Sequence, residues 1–145
     1  MIKESYDFTR LGEKPYFYFE SEGEQGIISK VIIFSYLEDE SWNLAFGDLK
    51  GGDIDDSVIS NNYDIVKLVS TIAKVVYEFS AEYPSRHIVI EPVDEKRKKL
   101  YNHIFRRNYE DILLTFHIIG TYNGNDENYS PKKFYDIFKL IRKFA

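Results

Sequence analysis

Acidic and amide side chains are concentrated between positions 48 and 64, where the sequence has its densest group of oxygen ligands. The group consists of Asp48, Asp53, Asp55, Asp56, Asn61, Asn62 and Asp64. Carboxylate oxygens bind Mg²⁺, and a bound cation activates water for hydrolysis. With Lys67 close behind, Asp48, Asp55 and Asp56 are therefore candidate ligands of a Mg²⁺-dependent nuclease. The simpler interpretation is that Asp and Asn favour turns and helix N-caps for conformational reasons.

Basic residues form a second group, in the second half of the chain. Its members are Arg86, Lys96, Arg97, Lys98, Lys99, Arg106, Arg107, Lys132, Lys133, Lys139, Arg142 and Lys143. Tyr101, Tyr109, Tyr122 and Tyr129 lie among them and offer rings for stacking. Cations interleaved with aromatic rings suit single-stranded nucleic acid. The alternative is a solvated helix face without a partner.

The net charge of −5 conceals an asymmetry along the chain. Residues 1–64 contain five Lys or Arg against fourteen Asp or Glu, whereas residues 65–145 contain fourteen against ten. An acidic first half and a basic second half indicate either an anionic partner, RNA or an acidic protein, or attraction between the two halves.

Several kinds of site and location are disfavoured by what the sequence lacks. It has no cysteine, which excludes disulfides and thiolate metal sites, and its three histidines are scattered. It has no P-loop, nucleophile elbow or dinucleotide fingerprint, so no cofactor is identified. Residues 1–10 have no apolar leader core, and no run of about 18 apolar residues occurs. We therefore expect a cytoplasmic protein without a membrane partner.

The first third of the chain carries strand signals separated by turn residues. The predicted strands are Tyr16–Glu20, Ile27–Leu37, Trp42–Phe46 and Ile54–Ser60. They are short, rich in β-branched and aromatic residues, and bounded by Gly, Asp and Ser. Four strands before any helix indicate an antiparallel meander.

Helical spacing of apolar residues begins at Ile65 and continues to Phe79, which predicts the first helix. After it come a short strand, Ile88–Ile90, and a second helix from about Asp94 to Asn108 with Leu100, Tyr101, Ile104 and Phe105 inward. Next come a strand at Ile112–Ile119 and a loop at Gly120–Asn128. A third helix then starts at Ser130-Pro131, with Phe134, Ile137, Phe138, Ile141 and Phe144 as its apolar stripe.

These elements predict one α+β domain over residues 1–145 in the order β-β-β-β-α-β-α-β-α. The sheet is expected to be mixed, mainly antiparallel, and of about six strands. The connection from the fourth strand through the first helix to Ile88–Ile90 is long enough for a parallel crossover. An edge strand such as Tyr16–Glu20 could pair with a second copy, so a homo-oligomer is possible.

Certain strings in this order resemble a family of small bacterial proteins known only as a domain of unknown function. They are Ser21-Glu-Gly23, Gly26-Ile27, Asn43-Leu-Ala-Phe-Gly-Asp48, Ile54-Asp-Asp56, Ser60-Asn-Asn-Tyr-Asp64 with Lys67, Tyr77-Glu-Phe79, Tyr83-Pro84 and Leu100-Tyr101. The resemblance runs from about Tyr16 to Gly120 and implies a bacterial origin. Arg97 corresponds to an arginine that the family has before its Leu-Tyr pair. Tyr63 replaces a family glycine, and Glu91-Pro-Val93 replaces a Gly-Ser-Thr segment.

The element order is also similar, at the level of the fold, to the core of the GNAT acetyltransferases, which bind acetyl-CoA. In that superfamily a glycine-rich loop between the fourth strand and the next helix holds the pyrophosphate on backbone N–H groups. Ser60–Asp64 occupies this place here and contains no glycine. Its side chains and the Asp64 charge oppose a close approach of phosphate.

We predict a ligand site among Asn61, Asn62, Asp64, Lys67, Arg97 and Tyr101. The first hypothesis is a binding or regulatory module, toxin-like in character, that engages RNA or an acidic protein. The second is a GNAT-like acyltransferase, with Asn61 and Asn62 binding a polar ligand and Tyr101 or Tyr122 as a general acid. The third is the Mg²⁺-dependent nuclease.

Overall fold

A computed structural model describes residues 4–50, 53–55 and 64–143, with residues 50 and 53–55 described by their backbone alone. The described residues form two helices and nine strands. The helices are α1 (Ile65–Ser80) and α2 (Glu95–Ile112). The strands are β1 (Thr9–Arg10), β2 (Tyr16–Gly23), β3 (Gly26–Tyr36), β4 (Trp42–Lys50), β5 (Asp53–Asp55), β6 (Ile88–Ile90), β7 (Phe116–Tyr122), β8 (Asn125–Asn128) and β9 (Ile137–Arg142).

The chain divides into two compact units. The first contains Met1–Ser35 and Leu44–Phe79, and the second contains Tyr36–Asn43 and Ser80–Ala145. Strand β4 thus begins in the second unit and continues in the first.

In the first unit, strands β1 to β4 are neighbours in chain order, and β5 pairs with β4. Strand β2 alternates as a half-buried strand should, because Phe17, Phe19 and Ser21 are buried between more exposed residues. Helix α1 begins and ends where its apolar spacing predicts. Its Phe79 ring stacks on Phe34 of β3 with centroids 4.0 Å apart, which places an aromatic core between helix and strands.

In the second unit, strands β6, β9, β7 and β8 are neighbours in that order. Strand β6 also pairs with the start of β4, where Trp42 lies opposite Ile88 and Asn43 opposite Val89. This pairing is parallel, and its partner is the strand predicted third, whereas the crossover was predicted from the fourth strand. Most of that predicted fourth strand, Ile54–Ser60, lies outside the described residues. The other pairs that contain β6, β7, β8 or β9 are antiparallel. The expectation of a mixed, mainly antiparallel α+β fold is confirmed, although it has nine described strands rather than about six.

Helix α2 packs on the last strand through Phe105, whose ring lies 4.1 Å from that of Phe138 and parallel to it. Beside this stack, Asn102 is 3 % exposed and holds the backbone of Tyr135 at two points. Its Nδ2 donates to the Tyr135 carbonyl at 2.9 Å, and its Oδ1 accepts from the Tyr135 N–H at 2.8 Å. The Tyr135 ring covers Gly120, where an added Cβ would lie 2.4 Å from a ring carbon. Only glycine therefore fits at position 120.

The third predicted helix is wrong, because Ile137–Arg142 forms strand β9. The spacing of Ile137, Phe138 and Ile141 suits a helix, but the same six residues also alternate, and Phe138 and Leu140 are the buried ones. Pairing with β6 on one side and β7 on the other satisfies both edges of the strand. Short apolar runs fit both periods, and here the available strand partners decide between them.

Two boundaries nearby also differ from the prediction. Helix α2 continues to Ile112, so the strand predicted at Ile112–Ile119 begins instead at Phe116. The predicted loop after it is a hairpin of β7 and β8. Its turn residues Asn123 and Gly124 have φ values of 50° and 78°, both in the left-handed region. An Asn-Gly pair with two positive φ angles is typical of a type I′ hairpin turn.

The inward face of α2 is more polar than predicted. Its buried residues are Arg97, Asn102 and Phe105, whereas Leu100, Tyr101 and Ile104 are only partly buried.

Neither described helix combines the length and the apolar content that a membrane-spanning helix needs.

The Asn102 hydrogen bonds generate a stability prediction. Replacement Asn102→Ala should lower the free energy of unfolding by about 1–3 kcal/mol for each buried backbone group left unpaired. Asn108→Ala is the matched control, since Asn108 lies on the same helix and its Nδ2 donates to Ile104 of that helix. Chemical denaturation measures both. Equal losses in the two variants would contradict the role given to Asn102.

Candidate functional site

The predicted ligand residues of the first unit lie around the ring of Tyr6. The Tyr6 hydroxyl donates to Asp64 Oδ2 at 2.6 Å and accepts from the Glu22 N–H at 3.0 Å. Ser21 Oγ donates to the same Asp64 oxygen at 2.6 Å. The Lys67 ammonium lies 4.4 Å from the centre of the Tyr6 ring, a cation–π distance. Asp64 and Lys67 are thus brought together on Tyr6.

The hydrogen bonds from the Tyr6 and Ser21 hydroxyl groups already engage the Asp64 carboxylate. Burial raises the pKa of Tyr6, and its hydrogen bond to the Asp64 carboxylate raises that pKa further. The neutral phenol therefore remains a donor to the carboxylate over the whole physiological pH range.

A groove of about 400 Å³ lies beside the Tyr6 ring, bounded by Tyr6, Tyr18, Glu20, Glu22 and Lys67 among others. Asn61 and Asn62 lie outside the described residues.

The predicted metal ligands do not form a cation site in the described residues. Asp48 and Lys30 face each other on β4 and β3, with 1 % of each side chain exposed and their Oδ1 and Nζ atoms 2.5 Å apart. A carboxylate that is buried against an ammonium is not available to a metal ion. Asp55 is described by its backbone alone and Asp56 lies outside the described residues. Among the residues that are described, no three His, Asp or Glu side chains gather as a metal site would need.

The other two ligand candidates lie one turn apart on α2, in the second unit. Asp94 caps this helix by accepting from the Arg97 N–H at 2.8 Å. The Arg97 Nη1 donates back to Asp94 Oδ2 at 2.9 Å, so side chain and backbone bind the same carboxylate. Tyr101 is half-buried one turn further on. The structure thus gives Arg97 a fixed position under the first turn of α2.

The exposed face of α2 carries cations along its length. Lys96, Lys99, Arg106 and Arg107 are all exposed, and we call these four residues the cationic stripe. The eleven steps from Lys96 to Arg107, at a rise of about 1.5 Å each, make the stripe roughly 16 Å long. Within the described part of the chain, Lys96, Lys99 and Arg107 form no ion pair.

Most neighbouring cations outside the stripe are paired. Lys98 contacts Asp136, Lys133 contacts Glu127, and Lys139 contacts Asp126. The hydrogen bond to Asp136 raises the pKa of Lys98, and that to Lys139 lowers the pKa of Asp126. The second unit as a whole has twelve Lys or Arg against twelve Asp or Glu, so it is neutral. Positive charge is therefore a local property of the stripe.

The segment after β8 runs beside α2 and extends its exposed surface. The Arg106 Nε donates to the Pro131 carbonyl at 3.2 Å, which places exposed Lys132 next to the stripe. Phe134 is 40 % exposed, and the Lys98 ammonium lies 5.3 Å from its ring centre. An exposed aromatic ring thus lies beside Lys98 of α2.

Sequence reasoning missed Tyr6, Ser21 and Asn102. Tyr6 and Asp64 are 58 positions apart, and Asn102 and Tyr135 are 33 apart, so no local pattern connects either pair. The polar position of Asn102 on the inward side of α2 was the one available signal.

Membership of a family follows from comparison with known proteins. A family model described as "Family of unknown function (DUF6934)" matches residues 2–143. The chain belongs to the DUF6934 family. This confirms the expected relation to a domain of unknown function. No curated protein and no solved structure matches this DUF6934 chain.

The hydrogen bonds of Tyr6 lead to a second prediction. Tyr6→Phe keeps the ring beneath Lys67 but removes one of the two hydroxyl donors to the part-buried Asp64 carboxylate and leaves Ser21 as the other. Loss of this hydrogen bond to a charged group should cost about 1–3 kcal/mol in unfolding free energy. Tyr36→Phe, at a tyrosine that is 51 % exposed, should stay within about 0.5 kcal/mol. Urea denaturation at neutral pH compares the two variants.

Tyr6→Phe should also change how the free energy of unfolding depends on pH above pH 10. Because the pKa of Tyr6 is raised above the ordinary 10.0, the unfolded chain loses this proton first as pH rises. The stabilising contribution is complete below pH 10 and is lost as pH rises through the folded pKa. Stability of the wild type should therefore fall more steeply above pH 10 than that of Tyr6→Phe. Parallel curves would contradict the assigned hydrogen bond.

Proposed function

We propose that the protein is a cytoplasmic binding module that engages single-stranded RNA through the exposed face of α2. The observation that carries the proposal is the cationic stripe, whose Lys96, Lys99 and Arg107 have no ionic partner among the described residues. Cations that remain unpaired on one helix face are free to neutralise phosphates. Release of condensed counterions from the nucleic acid then drives association.

An exposed aromatic ring beside α2 favours RNA over an acidic protein. Phe134 presents a 40 % exposed ring beside Lys98 of the same helix, and stacking on such a ring contributes about 1–3 kcal/mol per base in single strands. A surface that tracks phosphates and stacks bases needs these two components side by side. An acidic protein would use the charges but would have no need of the ring.

A regulatory role suits such a module better than a metabolic one. The sequence contains no complete catalytic motif, and the one described carboxylate of the predicted metal site is paired with Lys30. Binding of RNA without its cleavage is sufficient for a toxin-like or regulatory component that blocks its target by occupancy.

Salt dependence gives the most direct test. If the four cations of the stripe each neutralise one phosphate, log K should fall with log salt at a slope of about −2.8, since single strands give about −0.7 per phosphate. Affinity for a labelled single-stranded oligoribonucleotide should then fall about 50-fold between roughly 50 and 200 mM salt. Fluorescence anisotropy measures both quantities.

Substitutions distinguish RNA binding at the cationic stripe from a general effect of the protein's charge on RNA affinity. Lys99→Gln and Arg107→Gln should each weaken binding and reduce the steepness of the slope by about 0.7. Lys74→Gln removes an exposed lysine from α1 and should leave both quantities unchanged. Binding that is absent or independent of salt would overturn the proposal. Equal effects of the three variants would overturn the location, and binding of acidic peptides in place of RNA would overturn the assigned partner.

We infer a second candidate function, acyl transfer, from the topology. The meander β1 to β4, the crossover through α1 and the parallel pairing of β6 with β4 support a GNAT-like core. The segment equivalent to the pyrophosphate loop lies outside the described residues. The fold alone does not bring the function with it.

Acetyl-CoA binding discriminates between the two functions. At 100 times its Kd the ligand would stabilise the protein by about 2.7 kcal/mol, which corresponds to a rise in Tm of roughly 8 °C for a chain of this length. ATP serves as a control of similar charge that lacks the pantetheine arm. If acetyl-CoA shifts Tm no more than ATP does, the acyltransferase candidate is excluded.

A further inference from the structure

One edge of the buried Arg97 guanidinium has no hydrogen-bond partner in the part of the chain that the structure describes. Arg97 is 3 % exposed, and its Nη1 donates to Asp94. The Nε and Nη2 atoms are inaccessible and find no acceptor among the residues that the structure describes. Leaving a buried donor unpaired costs about 1–3 kcal/mol, and more when the group is charged. A fold does not normally retain two such donors without something that binds them.

The two unpaired donors match a particular ligand geometry. Nε and Nη2 lie on the same side of the planar guanidinium, so their N–H bonds point outward in parallel. This fork fits two oxygens of one carboxylate or one phosphate, and such bidentate pairs are among the strongest hydrogen-bonded contacts in proteins. The free edge therefore selects for an oxyanion.

The position of Arg97 adds to this selection. It lies in the first turn of α2, an 18-residue helix whose N-terminus carries the positive end of the helix dipole. The Asp94 side chain that binds Nη1 is 46 % exposed, so the partner of the buried guanidinium reaches solvent.

We propose that the Nε–Nη2 edge of Arg97 binds an oxyanion, the carboxylate or phosphate group of a small ligand, at the N-terminus of α2. The ion accepts one hydrogen bond from each nitrogen while Asp94 holds Nη1. This site is independent of the proposed RNA surface, since Arg97 is buried and the cationic stripe lies on the exposed face of the same helix. Loss of either leaves the other intact.

Thermal unfolding of the intact protein with inorganic phosphate tests the site. Titrations up to about 10 mM are made at constant ionic strength, balanced with sodium chloride, because higher phosphate stabilises proteins without binding. The wild type should show a rise in Tm that saturates. A parallel series with sodium acetate distinguishes a phosphate site from a carboxylate site, since the preferred ion saturates at the lower concentration.

The variant Arg97→Lys retains the charge but loses the fork, and its saturable rise in Tm should disappear. Arg86→Lys is the matched control, because Arg86 is a partly buried arginine of the same unit, stacked on Tyr36 and Tyr83. It should keep the wild-type response. A saturable rise that survives in Arg97→Lys would overturn the proposal, as would a wild type that responds to neither ion beyond the chloride reference.

A measurement on the wild type covers the case in which Arg97→Lys does not fold. The Nε–H resonance of Arg97, assigned through its own side chain by NMR, should shift with phosphate or acetate along a saturating curve. An Arg97 resonance that stays fixed while the protein is folded would mean that water alone fills the edge, and the oxyanion site would be rejected.

Discussion

The two hydrogen bonds between Asn102 and the Tyr135 backbone fix how α2 is rotated about its own axis. Buried backbone N–H and carbonyl groups need hydrogen-bond partners. Here the Asn102 side chain pairs with both the N–H and the carbonyl of Tyr135, a fully buried residue just before β9. Any rotation of α2 would break both bonds and also separate the stacked Phe105 and Phe138 rings. That orientation turns Arg97 inward and leaves the cationic stripe outward.

The first unit also contains buried polar contacts, but these are made by charged and hydroxyl groups instead of an amide side chain. Lys30 and Asp48 form a buried ion pair beside the Phe46 ring, and Tyr6 joins Asp64 to the edge of β2. A buried pair of this kind adds little net stability over an apolar pair, yet removal of one partner is costly because it strands the other charge. Such pairs therefore restrict which strands can be neighbours more than they strengthen the unit.

The sequence alone predicted those elements whose apolar residues follow a single clear spacing, either helical or strand-like. Helix α1 follows its apolar spacing from Ile65 to Ser80, and β6 occupies the predicted Ile88–Ile90. Strand β9 was not predictable in this way, since its six residues fit both a helix and a strand until β6 and β7 are known as partners. The β7–β8 hairpin did carry a local signal, Asn123-Gly124, which the polar residues of β8 obscured.

The candidate site was less accessible to sequence reasoning than the fold. A run of basic residues between positions 96 and 107 indicates an anionic partner, but it does not say which cations are exposed and which are paired. Arg97 looks like its neighbours in the sequence and differs from them only through the Asp94 cap and its burial. The interactions of Tyr6 and Asn102 depend on long-range contacts that no local pattern encodes.

Amide NMR spectra of the ¹⁵N-labelled protein, titrated with a single-stranded oligoribonucleotide, examine the binding face of α2 most directly. Because the Asn102 contacts hold the stripe outward, the largest shifts should fall on residues 96–107 and on the adjacent segment 130–136, with α1 unaffected. Shifts centred on α1 and the Tyr6 groove, or a spectrum without change at low salt, would contradict the assignment of RNA binding to this helix.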